Sequence, residues 1–450
     1  MIVPQNRLLF WTAGGVLPVV TLAAAFPEAA PSALVILAVF TGWIVVDAVQ
    51  SCHHTHQLRI EGPAVVRLAK GRPGTLPLRL EWSGEGRGLA RIALVLPGGV
   101  HADTTTLELS VSASEPHRDA VWPLTGRQTG RYPLERIYLE MDSRHRFWVF
   151  RRPVALGSEL RVYPNLQTEY RLLRGGAFRH VIGIHSQRQV GKGRDFEQLR
   201  EYLPGDGYED IHWKATAKIG HPVTKVFQIE RTQELYVVLD ASRLSGRSMP
   251  TGNDDGAATG EMPTLIESFI TAALGLGVAA ERQGDRFGLL TFSDQVTRFL
   301  RAGSGKAHAT ACLESIYTLR AEAVAPDFND LFAFIATHLR RRALIVFLTS
   351  LDDPVLAESF AAQVDMIRRQ HVVLVNMIRP PGARPLFSDP AVDSPAGIHR
   401  ALAGHHTWHH LRETQRRLQR KGVRLSLMET DRLSLRVIAH YLEIKQRQLL

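Results

Sequence analysis

Leu8 to Phe26 is a run of 19 residues without a charge. As a helix it would extend roughly 28 Å, about the thickness of a hydrocarbon core. Lipid offers no partners to backbone groups, so a run of this kind must satisfy its own hydrogen bonds as a helix. Pro27-Glu28-Ala29-Ala30-Pro31 breaks it, and a second apolar stretch follows from Ser32 to Val46. Trp11 and Trp43 fall near the faces such helices would present to headgroups. Residues 1–51 are therefore read as a transmembrane helical hairpin. A secretory leader cut near Ala23-Ala24-Ala25 is the weaker reading, because Arg7 is its only basic residue and a second apolar segment follows at once. Arg7, Arg59, Arg67 and Lys70 flank the hairpin, while its tip carries Glu28. The positive-inside rule then puts both ends, and the remaining chain, on the cytoplasmic side of the inner membrane.

The rest of the chain has globular character: 45% of all residues are hydrophobic and 22% charged, which excludes a disordered or fibrous protein. Two cysteines, Cys52 and Cys312, cannot build a disulfide framework or a four-thiolate zinc site, in keeping with a reducing compartment. The formal charge is +10, and basic clusters such as Arg340-Arg341-Arg342 and Arg416-Arg417 contribute to it. With no aromatic-interleaved basic stripe or DNA-binding motif, this charge suits an anionic membrane surface and argues against nucleic acid.

Residues 52–165 switch to short alternating runs cut by Gly and Pro, such as Leu76-Pro77-Leu78-Arg79-Leu80-Glu81-Trp82. About seven such strands predict a small β-sandwich without a catalytic constellation. From residue 234 the pattern is strand–helix alternation. Near-continuous apolar runs at 235–239, 286–292, 343–348, 371–375 and 423–428 predict buried parallel strands, with 296–300 as a hairpin partner and a C-terminal helix from Asp431. This is a doubly wound α/β sheet, whose ligands sit at the carboxyl ends of the strands. Asp240 and Ser242 stand at one such end, and Asp352 follows another. Oxygen donors of this kind suit Mg²⁺. The arrangement resembles the von Willebrand factor A domain and its metal-ion-dependent adhesion site. The second Ser of that motif falls at Leu244, however, and the loop expected to carry a Thr reads Ala325-Pro326-Asp327-Phe328-Asn329-Asp330. The expectation is a site that binds Mg²⁺ weakly or not at all, with no cofactor required and Asp240 serving to order its loop.

Residues 166–233 hold the most specific pattern. Leu199-Arg200-Glu201-Tyr202-Leu203-Pro204-Gly205-Asp206 is followed by Ile211-His212-Trp213-Lys214-Ala215-Thr216-Ala217-Lys218. This resembles the signature of domain-of-unknown-function family 58. Gly130-Arg131-Tyr132, Val162-Tyr163-Pro164-Asn165 and Tyr441-Leu442-Glu443-Ile444-Lys445 echo the same family, so the likeness spans about residues 125–450. It implies a von Willebrand factor A-like domain and a MoxR-type AAA+ ATPase as partner. His212 stands where the family usually has Asp or Asn. The charges of Arg200, Asp206, Lys214 and Lys218 around Trp213 fit either a buried ion-pair cluster or direct contact with a partner.

Other motifs fail. Gly303-Ser304-Gly305-Lys306 is not a P-loop, and neither a dinucleotide fingerprint nor a Gly-x-Ser-x-Gly elbow is present. His405 to His410 could pair at i,i+4 for zinc but lacks a third ligand nearby, as does His53-His54-x-His56. Residues 245–263 and 379–397 read as loops. The sequence thus points to a membrane-anchored, non-enzymatic scaffold that works with the ATPase in assembling other envelope proteins. The alternatives are a Mg²⁺-dependent adhesion module and, third, a hydrolase built on Asp206, Asp210 and His212.

Overall fold

The computed structural model describes residues 1–450 except 53, 85–86, 168–170, 172–189, 192–194, 204–206, 229–232, 250–263, 389–393 and 448–450. The chain divides into two compact units, Met1–Asn165 and Leu166–Leu450.

The first unit contains two helices long and apolar enough to cross a membrane, Asn6–Ala25 and Pro27–Ser51. The first carries a π turn at Thr12–Val16, where Leu17 N–H reaches back to Thr12 O. Pro18 has no N–H to continue the regular ladder, which accounts for a widened turn just before it. Both ends of the helical pair are tied to one β-sandwich. Ile2–Pro4 forms a strand antiparallel to Trp148–Phe150, and Gln5 Nε2 donates to Asp142 Oδ1 at 2.7 Å. At the other end Asp47, buried, accepts the His145 backbone N–H at 3.1 Å and lies 2.9 Å from His145 Nδ1. Trp148 Nε1 donates to Ile44 O, and Arg144 N–H to Ser51 Oγ. The helices therefore begin and end at the same β-domain, as a hairpin requires.

The sandwich has ten strands among the described residues, in sheets of six and four. Alternation decides the inner face: Leu76, Leu78, Leu80 and Trp82 point inward from one strand and Ala120, Trp122 and Leu124 from its antiparallel neighbour. Trp122, fully buried, spends its indole N–H on Thr104 O at 2.9 Å. The strand count exceeds seven chiefly because short pieces (Ile2–Pro4, Leu58–Glu61, Val100–His101) extend the edges.

The second unit is built on a six-stranded sheet. Across it lie Val296–Gly303, Arg286–Phe292, Glu234–Asp240, Leu344–Leu348, Val372–Ile378 and Arg424–Met428. All neighbours are parallel except the Val296–Gly303 hairpin strand. The helices Leu265–Arg282, Lys306–Ile316 and Leu433–Gln446 cover one face, and Phe328–His338, Pro354–Gln363 and Pro395–Arg420 the other. With both faces covered, five residues in a row are buried in Leu344–Leu348, which is why these strands read as unbroken apolar runs. The strand order reverses between Glu234–Asp240 and Leu344–Leu348, the place at which open α/β sheets carry a crevice beyond the carboxyl ends of their strands.

Local differences from expectation have local causes. The 26-residue helix Pro395–Arg420 starts inside the stretch read as loop, because Ser394 Oγ caps it by accepting Gly397 N–H and Pro395 suits its first turn. A 3₁₀ turn, Thr430–Arg432, delays the C-terminal helix to Leu433. Within 245–263, Ser245 and Gly246 close a 3₁₀ turn that begins at Arg243.

Candidate functional site

Glu234–Asp240 delivers its terminal carboxylate into the crevice, fully buried. Asp240 Oδ1 accepts the Ser242 N–H at 2.8 Å, and Oδ2 accepts the Thr349 hydroxyl at 2.6 Å. The Ser350 backbone adds a further hydrogen bond. Burial pushes the Asp240 carboxyl above its ordinary value against these bonds. The Ser242 hydroxyl lies against the same carboxylate without completing a bond of normal geometry, and the Ser245 hydroxyl in the next turn is also buried without a partner.

Asp352 is occupied differently. Arg247 Nη1 donates to its Oδ2 at 2.5 Å and Nη2 to its Oδ1 at 2.9 Å, a bidentate pair. Ser350 Oγ donates to Oδ1 at 2.7 Å, and Arg247 Nε donates to Leu244 O at 3.1 Å. Burial would raise the Asp352 carboxyl, but the Arg247 and Ser350 hydrogen bonds and the guanidinium charge outweigh it and hold the group below its ordinary value. The structure thus brings Asp240, Ser242 and Asp352 to one crevice and adds Thr349, Ser350 and Arg247. Leu244, where the adhesion motif has its second Ser, contributes a backbone oxygen to the guanidinium. Asp327 is spent on a helix end, its Oδ1 capping Phe328–His338 by accepting the Asn329 and Asp330 N–H groups. Arg247 had no sequence signal beyond its place in a polar loop.

The donor set does not suit a divalent ion as it stands. Every carboxylate oxygen of Asp240 and Asp352 already accepts a hydrogen bond, and a cation is paired with one of the two acids. Elsewhere His405 Nδ1 accepts Leu386 N–H and its ring stacks on Trp408. Among the described residues no three metal-binding side chains converge.

The signature segment forms a small antiparallel sheet, Asp195–Glu201 against Val223–Gln228, joined through the 3₁₀ turn Tyr208–Asp210 and the helix Trp213–Ile219. Ile211, Val223 and Thr224 are buried, and His212 N–H donates to Val223 O. Trp213 is instead 67% exposed and Tyr208 77%, with Leu203 and Ile219 also exposed nearby in sequence. Lys214 and Lys218 are exposed and Arg200 is half-buried, so the lysines form no buried ion-pair cluster with Arg200. Tyr202 packs its ring against Tyr208, centroids 6.2 Å apart. Pro204, Gly205 and Asp206 lie outside the described residues. His212 caps the helix: its Nδ1 accepts the Ala215 N–H at 3.0 Å. Asp, Asn and neutral His can all accept there, which explains the departure from the family pattern. The same bond commits the nitrogen that a hydrolytic base would need, and Asp210 sits in the preceding turn.

Residues 198–385 match the model of the family described as "Protein of unknown function DUF58", the family that the signature resembles. The uncharacterized protein Rv1480 of Mycobacterium tuberculosis and the uncharacterized protein Mb1516 of Mycobacterium bovis are each 26% identical over 176 residues, 38% of this chain. The chain spans about half the length of these curated relatives, 52%. Among solved structures, the PilB minor pilin from Streptococcus sanguinis aligns over 81% of this chain and 89% of its own, at 10% identity and a TM-score of 0.33. Proximal thread matrix protein 1 from the mussel byssus aligns over 46% of this chain and 45% of its own, at 11% identity and a TM-score of 0.25. Likenesses at this level assign neither fold nor role.

Proposed function

We propose that this protein is a membrane-anchored scaffold without catalysis of its own, whose von Willebrand factor A-like α/β unit serves a MoxR-type AAA+ ATPase in assembling other envelope proteins. The observation that carries the reading is the exposure of Trp213 and Tyr208 on the signature segment. A tryptophan in solvent forgoes about 2 kcal/mol of burial, and such side chains commonly anchor interfaces. Exposed Lys214 and Lys218 on the same short helix would bias the surface toward an acidic partner. The anchor rests on the two apolar helices. Arg7 and the basic residues after the second helix favour the cytoplasmic face of the inner membrane.

The test is capture from solubilised membranes with nucleotide-trapped ATPases, read by mass spectrometry, for wild type and Trp213→Ala. An AAA+ protein recovered by wild type and lost in the variant is the expected result. Equal recovery by both would remove this surface from the reading. Protease added outside intact spheroplasts should spare everything after the hairpin, and digestion there would reverse the topology.

A further inference from the structure

The crevice at the strand-order reversal has the acids of a cation site and already contains a cation. We propose that Arg247 is its resident positive charge, so that the wild-type protein neither needs nor takes a divalent metal there, and that removing the guanidinium opens a Mg²⁺ or Mn²⁺ site. This is independent of the scaffold reading, since it concerns only what balances Asp240 and Asp352.

Three observations converge. First, the guanidinium grips Asp352 through two parallel hydrogen bonds, at 2.5 and 2.9 Å, and is fixed from behind by Leu244 O. The Asp352 hydrogen bonds, against the opposing effect of burial and helped by the charges of Asp352, Asp240 and Asp353, hold its proton more tightly than usual. Second, the oxygens that a metal would recruit are in place without it: the Thr349 hydroxyl and the Ser350 hydroxyl each bond a carboxylate, and both side chains approach the same loop pair. Third, the Ser242 hydroxyl is fully buried against the Asp240 carboxylate without completing a hydrogen bond of normal geometry. An octahedral ion would use it there as a neutral ligand.

Truncating Arg247 would leave Asp352 without its partner and Asp240 without its neighbouring positive charge. A small hard cation with several retained waters is the natural replacement, because it supplies charge without requiring a full set of protein ligands. The native loop avoids that demand by bringing its own cation, whose planar fork matches one carboxylate.

The experiment is calorimetric titration of Mn²⁺ and of Mg²⁺ into the detergent-solubilised full chain, as wild type, Arg247→Ala, Arg247→Gln and Arg247→Ala with Asp240→Asn. Wild type should show no saturable heat. Arg247→Ala should instead give a saturable Mn²⁺ isotherm, and the added Asp240→Asn should abolish it. Arg247→Gln, which keeps length and polarity without charge, should behave like the alanine variant and covers the case in which alanine fails to fold. Saturable, Asp240-dependent metal binding by wild type would overturn the proposal. So would folded Arg247 variants, verified by thermal melts, that remain blind to both ions.

Discussion

At the end of Glu234–Asp240, charges are answered inside the chain: Asp240 by Ser242, Thr349 and Ser350, and Asp352 by Arg247 and Ser350. Around Trp213 the opposite holds, with an indole, a phenol and two lysines facing solvent on a seven-residue helix and the turn before it. Both regions carry residues that attract a functional reading. The crevice spends them on holding its own loops together. The signature surface leaves them available, and burial that has not been used within a chain is what an interface can use.

The sharpest way to break this contrast is to cut into each region and compare stability with capture. Asp240→Ala leaves the Thr349 hydroxyl and two backbone N–H groups without their acceptor in a fully buried place. A loss of about 3 kcal/mol is expected in denaturant unfolding of the α/β unit. A variant within about 0.5 kcal/mol of wild type would show that water or relaxation replaces those bonds. Trp213→Ala should do the reverse. Its stability should stay within about 0.5 kcal/mol, as for most exposed positions, while partner affinity falls by about 2 kcal/mol, roughly thirtyfold. If its melt collapses while capture survives, the indole is a structural element and the comparison fails.

A third test lies in pH, at a buried histidine away from both regions. His440 is held neutral, pushed down to about 4 by burial and then by the Arg424 charge, with Arg436 adding to it and Glu443 opposing. Its ordinary value is 6.5. The unfolded chain therefore takes up a proton first as pH falls, and stability is lost from about 6.5 down toward 4. Asp240 acts in the opposite direction, and Asp352 in the same direction but at lower pH. Charging Asp240 costs stability as pH rises through its raised value, whereas the Asp352 contribution is present above 3.8 and lost only as pH falls through its lowered one. Melting temperature against pH should flatten between 6.5 and 4 in His440→Gln. An unchanged slope there would assign the acid limb to other groups.

Much of the architecture was legible because burial on both faces writes itself as continuous apolar runs, and the six strands of the α/β sheet fall within a few residues of where those runs lie. The acids at strand ends were legible for the same reason: a carboxylate that closes an apolar run must emerge where the sheet ends. Arg247 was not, since a loop residue has no period and its partner Asp352 lies 105 positions away. The exposure of Trp213 was also hidden, because tryptophan is on average a well-buried residue and composition cannot tell an anchor from a core. In the hairpin, the apolar runs announced helices but not their fastening. Asp47 looks like the polar end of a span, and only the fold reveals His145 as its partner.

The smallest expected effect tests the join between order and offer within the signature segment. Trp213–Ile219 is too short to persist by propensity, since helices of this length are marginal in water. It is held at its start by the His212 cap and at its end by Gly220, whose φ of 88° suits the left-handed position that closes a helix. Thr216 adds a tie, its hydroxyl accepting Val223 N–H at 3.1 Å. His212→Ala removes one cap and should cost about 1 kcal/mol, while His212→Asn and His212→Asp should restore it, since each presents an acceptor to the Ala215 N–H. Asp should be the better of the two, because a carboxylate also suits the positive end of the helix. The measurement is amide hydrogen exchange at Ala215, which should accelerate about fivefold in His212→Ala and return toward wild type in His212→Asn. Because the indole is the first residue of this helix, the alanine variant should also weaken partner capture by less than Trp213→Ala does. Equal exchange rates in wild type and all three variants would mean that the helix is held by Thr216 and the strand behind it, and that the residue at 212 is free to vary for reasons unrelated to the cap.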